Sequence, residues 1–318
     1  MAKPVNNADT TKNNIIKSLV ADTTQQNTIQ FSDPIITCDS SSWIIPFSRA
    51  GNLIIIRAKA DTMEGNFILD TGAPGLVLNL TYFRDYPNTT GDADDQGGIT
   101  GAAAKGEHTI LPMLSIGPLK YHKVDADRIN LGHIENTRGI KILGLLGMDL
   151  LKQFEMIIDY EKNQIYMHRT SKKDAADYKN DLLQDTSAYI TTPIEITENK
   201  LITYVYMGGK KLSFVVDTGA ETNVLDSRLP NKVLDNVSIT SRVMLNGTGS
   251  KKVEALSGNA NNMKIGSQNI NNLPVIITNL EKLCFSYDHC LDGMLGFDFL
   301  SKQKIGFNFV KRKMYIWK

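Results

Sequence analysis

The segment Phe67-Ile68-Leu69-Asp70-Thr71-Gly72-Ala73 returns 147 residues later as Phe214-Val215-Val216-Asp217-Thr218-Gly219-Ala220. The echo continues in register, with Gly75 to Asn79 answered by Thr222 to Asp226. A second matched pair, Gly144-Leu145-Leu146-Gly147-Met148-Asp149 and Gly293-Met294-Leu295-Gly296-Phe297-Asp298, is offset by 149, and from there the register runs without a gap to the last residues. A repeat of this length copies a whole folding unit. At 318 residues the chain has room for two such units, each with its own core.

Each unit reads as short strands. Leu53 to Ala60 and Leu201 to Met207 are rich in branched apolar residues, and each leads through a turn into the strand that ends at the Asp. The turns are expected at Met63-Glu64-Gly65 and Gly208-Gly209-Lys210. Met148 to Phe154 and Phe297 to Gln303 lack turn residues and carry Leu or Phe at helical spacing, which predicts one short helix per half. A hairpin follows each, turning at Glu161-Lys162-Asn163 and at Val310-Lys311-Arg312. The expected organisation is a polar extension over 1–44, a first half over 45–169, a charged linker over 170–187 and a second half over 188–318.

Two Asp-Thr-Gly triplets, each at a strand end and each followed 75 or 77 residues on by Leu145-Leu146-Gly147 or Met294-Leu295-Gly296, resemble the aspartic proteases of pepsin and retropepsin type. The resemblance covers roughly residues 45 to 318. It implies a mostly β fold of two tandem retropepsin-like (acid protease) β-barrel domains related by a pseudo-twofold axis, working as a monomer with an internal pseudo-dimer. It further implies that Asp70 and Asp217 are the catalytic pair, acting on a shared water to cleave a peptide or protein substrate. Gly72 and Gly219 would allow the tight loops, and Thr71 and Thr218 would bond across to the opposite loop. Glu221 stands where retroviral-type proteases carry an acid that accepts hydrogen bonds from substrate, whereas Pro74 takes that place in the first half. Glycine-rich segments holding Gly98, Ile99 and Gly101, and Gly247 and Thr248, lie where the family closes flaps over substrate. Pepsin-like enzymes often have Ser or Thr after the triplet; here Ala73 and Ala220 leave the carboxylates without that donor, so a higher pair of pKa values is expected. A catalytically inactive peptide-binding protein of the same fold is the alternative reading, since a sequence does not show how closely the loops approach.

Lys and Arg number 35 against 34 Asp and Glu, which disfavours nucleic acid as a partner, and no run approaches the roughly 20 apolar residues of a membrane span. The five histidines have no Ser or Cys motif beside them from which to build a triad. Cys284 and Cys290 are close enough to bridge a short loop, leaving Cys38 unpaired, and such a bridge needs an oxidising compartment. The Asn-, Thr- and Lys-rich tract from Ala2 to about Asn27 reads as a disordered terminus or as the spacer left behind an export signal; export is the expectation. Cys284, His289 and Cys290 lack the separated second ligand pair of a zinc site, so neither metal nor cofactor is expected.

Overall fold

The computed structural model describes residues 34–38, 40–89, 97–98, 101–102, 106–170, 180–246, 252–281, 283 and 290–318, of which 97–98, 101–102, 246 and 252 are described by backbone alone. Strand dominates. Leu53–Ala60 pairs antiparallel with Met63–Leu69, and Lys200–Met207 with Lys210–Val216. The second of these hairpins turns at Gly208-Gly209, both with positive φ (56° and 70°), as a two-residue hairpin turn prefers. The first turns at Asp61-Thr62, with Asp61 at φ 53°, which corrects the expectation of Met63-Glu64-Gly65. Gly65 has another task. It sits within the strand opposite Ala58, and a Cβ there would lie 2.6 Å from Leu143 Cδ1.

The strand that ends at each Asp is flanked by the apolar-apolar-Gly segment. Gly144–Leu146 runs parallel to Phe67–Leu69 and antiparallel to Leu76–Leu78. Gly293–Leu295 repeats this against Phe214–Val216 and Val224–Leu225. The offsets of the sequence repeat are therefore offsets of strand register. One face of each sheet buries matched residues: Ile55, Ile68, Val77 and Leu145 in the first half, Ile202, Val215, Val224 and Met294 in the second. Different segments cover these faces. Ile134 of helix Gly132–Arg138 packs over the first, and Leu280, Leu283 and Leu291 over the second.

The halves share a six-stranded antiparallel sheet, ordered Tyr189–Thr197, Lys313–Trp317, Ile305–Asn308, Phe154–Asp159, Gln164–Arg169, Ser42–Pro46. Three strands come from each half. At the seam Ile157 pairs with Gly306, its own counterpart at offset 149, so the pseudo-twofold axis passes between these two residues. A Cβ on Gly306 would lie 3.0 Å from Ile157 Cγ1, so the Ile157 side chain would have to give way slightly. Leu183, from the short 3-10 turn Asp181–Leu183 in the linker, packs with Ile157 and Tyr315 on the outer face of this sheet.

The helices are shorter than expected. Met148–Leu150 is a single 3-10 turn and Phe297–Leu300 a single α-turn, because Phe154 is already needed as the first residue of a seam strand. Among the described residues Leu80–Phe83, Gly132–Arg138 and Asn231–Leu234 are further short helices that no sequence signal above predicts. The fold also takes in residues assigned to the extension: Ile35–Ile36 pairs with Leu119–Lys120. Cys38 is a free thiol and Cys290 is disulfide-bonded; Cys284 lies outside the described residues.

Candidate active site

Asp70 N–H donates to Leu146 O at 3.0 Å and Asp217 N–H to Leu295 O at 3.0 Å, so each Asp is the last residue tied to its neighbouring strand. Beyond it the chain turns around its own carboxylate. Asp70 Oδ1 accepts the N–H groups of Gly72 (2.9 Å) and Ala73 (3.1 Å), and Asp217 Oδ1 those of Gly219 (2.7 Å) and Ala220 (3.1 Å). The loop rests against the glycine of the apolar-apolar-Gly segment. A Cβ on Gly147 would lie 2.2 Å from Gly75 O, and one on Gly296 2.5 Å from Thr222 O. Backbone cannot retreat as a side chain can, which is why both segments end in glycine.

The threonines join the two loops reciprocally. Thr71 N–H donates to Thr218 Oγ1 and Thr218 N–H to Thr71 Oγ1, each at 3.0 Å. The hydroxyls in turn donate across to Val216 O (2.7 Å) and Leu69 O (2.8 Å). Both side chains are buried, so every one of these groups needs its partner. The exchange is symmetric, and it gives a second point on the axis already located between Ile157 and Gly306.

Symmetry brings the carboxyls together. A Cβ on Gly72 would be 2.5 Å from Asp217 Oδ2, and one on Gly219 2.6 Å from Asp70 Cγ. The triplet glycine thus makes room for the opposite carboxylate as well as permitting a tight turn. Burial raises both carboxyls above the ordinary carboxylate range. Asp217 is raised well above it, first by burial and then by the charge of Asp70 and a hydrogen bond between the side chains. Asp70 is raised by burial, but its hydrogen bonds with Asp217 and with the N–H groups of Gly72 and Ala73 pull it back down. Ionising one of these carboxyls therefore disfavours ionising the other.

The family model for aspartyl proteases matches residues 57–150 and 203–299, once in each half and together more than half of the chain. The chain belongs to the aspartyl protease family. No curated protein sequence matches it. Similar solved structures include an aspartic proteinase from Irpex lacteus, 11% identical over 87% of this chain and 97% of that one, with a TM-score of 0.48. Basic 7S globulin from soybean is 12% identical over 87% and 94%, at a TM-score of 0.46, and conglutin gamma from lupine seeds 10% identical over 87% and 95%, at 0.47.

In this member of the aspartyl protease family the other residues singled out by sequence fall at several places in the two halves. Gly97–Gly98 pairs with Gly101–Ala102 as a small separate hairpin, Gly98 opposite Gly101; Ile99 lies outside the described residues. Val237–Asn246 and Lys252–Ala260 form a longer hairpin that brackets Gly247 and Thr248, also outside the described residues. Glu221 does follow the second Asp loop, but its carboxylate is held by Arg138 of the first half, and its main-chain O accepts Asn52 Nδ2 at 3.1 Å. Sequence reading missed both donors. Arg138 lies 83 positions before Glu221, and no local pattern links them. Among the described residues no group of three or more His, Cys, Asp or Glu side chains is disposed to hold a metal ion.

Proposed function

We propose that the chain is an aspartic endopeptidase in which Asp70 is the resting base and Asp217 the resting acid. The approach of the two carboxyls across the axis supports this reading, because two carboxylates at that range do not both ionise and one keeps its proton. A water bound between them would lose a proton to Asp70 as its oxygen attacks the scissile carbonyl carbon. Asp217 gives its proton to the carbonyl oxygen, and a neutral tetrahedral diol results. Collapse returns a diol proton to Asp217, while Asp70 passes its proton to the leaving nitrogen as the C–N bond breaks. The pair ends as it began, with no covalent intermediate. The threonine exchange keeps the loops from relaxing during the cycle.

The experiment is incubation with a diverse peptide library, read by mass spectrometry, with and without a statine-type inhibitor and beside Asp70→Asn. Cleavage that both the inhibitor and the substitution abolish is expected. Peptides captured but left intact by the wild-type chain would replace the peptidase with a binding protein of the same fold.

A further inference from the structure

Glu221 connects the second Asp loop to the other half. Its carboxylate is bound by the Arg138 guanidinium, and its carbonyl oxygen by the side chain of Asn52, so two donors from two separate elements of the first half converge on one residue. The seat of the guanidinium is shaped for it. Gly51 has φ +62°, and a Cβ there would lie 2.6 Å from Arg138 Nη1 and 3.2 Å from Cζ. The Gly51-Asn52 turn thus supports the guanidinium at one residue and reaches the loop with the next. Helix Gly132–Arg138 stops at once after Arg138, where Gly139 takes a left-handed conformation (φ 66°) and its N–H bonds Glu135 O at 2.7 Å. That stop fixes where the arginine leaves the helix. In the first Asp loop Pro74 stands in the place of Glu221 and has no carboxylate, so the contact is one-sided.

We infer that Arg138 is a positioning residue: through Glu221 it holds the second Asp loop against the first half and so sets how closely Asp217 approaches Asp70. The pair is partly exposed, at 21% and 38% of the side chains, and ion pairs of that exposure add little to global stability. The effect is local. Asp217 is only four residues before Glu221, and the interval between holds the loop hydrogen bonds of Gly219 and Ala220.

The kinetic arm of the test rests on the peptidase reading; the titration arm does not. In Arg138→Ala, kcat should fall about 10–100-fold with KM nearly unchanged, the loss expected when a reacting group is slightly misplaced. Its pH profile should shift as the two carboxyls separate. Arg138→Lys should recover part of the loss, and Arg138→Glu combined with Glu221→Arg should recover more than either alone. The carbon-13 carboxyl shifts of Asp70 and Asp217, followed through a pH titration, should move with the substitution whether or not the wild type turns over. Asn52→Ala, which removes only the backbone arm, should move the same titration in the same direction by less. Unaltered dyad titration in both Arg138→Ala and Asn52→Ala would overturn the inference, as would a KM that rises while kcat and the pH profile stay put. A wild type without turnover but with a shifted titration in the variants would sink the peptidase and leave the positioning role intact.

Discussion

At the scale of single residues, the dyad makes a claim about stability as well as turnover. Both carboxyls are raised in the folded chain, so the native state binds protons more tightly than the unfolded one. Their contribution to stability is complete below the ordinary carboxylate value of 3.8 and is lost as pH rises through the raised values. Asp217→Asn replaces a carboxyl that is costly to ionise with a neutral group of the same shape. It should abolish turnover, lowering kcat by about 10²–10⁴-fold or more, and yet raise the unfolding midpoint at neutral pH. Below about pH 4, where the native pair is protonated, the gain should vanish. Melting curves across pH check this, and a variant less stable than wild type at pH 7 would contradict it. Ala73→Ser tests the same electrostatics from the other side. Ala73 is buried, with its N–H already on Asp70 Oδ1, so a hydroxyl there has the carboxylate within reach. The acidic limb of kcat/KM against pH should move downward; the absence of any shift would remove the donor argument.

At the scale of elements, the glycines divide by what surrounds them. Gly147 faces backbone oxygens at 2.2 and 2.6 Å, whereas Gly75 has only Asp149 Oδ2 at 3.6 Å, an ordinary contact. Gly147→Ala must therefore push the Asp70 loop away. It should cost about 1–3 kcal/mol, as overpacking does, and most of the activity. Gly75→Ala, in the same loop, should be nearly neutral by both measures; equal losses in the two variants would show that loop flexibility, not contact with Gly147, is what matters. The same distinction explains what the sequence disclosed. Asp70, Thr71, Gly72, Gly147 and their counterparts were legible because each half spells them out, and a repeated segment carries its own register. Gly65 misled because a glycine in a strand looks like a turn when the Leu143 side chain that it accommodates is 78 residues away. The helix at Leu80–Phe83 is one turn long, too short for periodicity to register, and its Asn79 cap was the only available signal. Arg138 and Asn52 act on Glu221 across the halves, a relation that neither propensity nor spacing encodes.

For the molecule as a whole, the decisive feature is that its symmetry axis runs through strands and not through a gap. Two points define the axis: the Thr71 and Thr218 exchange beneath the carboxyls, and the Ile157–Gly306 pair in the shared sheet. Between them the largest apolar cluster is continuous, with Phe154, Met156 and Ile158 of one half packed with Ile305, Phe307 and Phe309 of the other. Halves that share a sheet and a core are not expected to melt separately, and under the proposed function a single chain supplies both aspartates. Turnover per chain should therefore stay constant on dilution over several decades of concentration. Ile157→Ala removes a fully buried side chain at the seam, where the opposing Gly306 has nothing to fill the space. It should cost about 2–5 kcal/mol and move one cooperative transition to lower temperature. Calorimetry distinguishes the outcomes: a transition that splits in two, with one half melting at its old temperature, would mean that the halves fold independently and that the axis is held by the Asp loops alone.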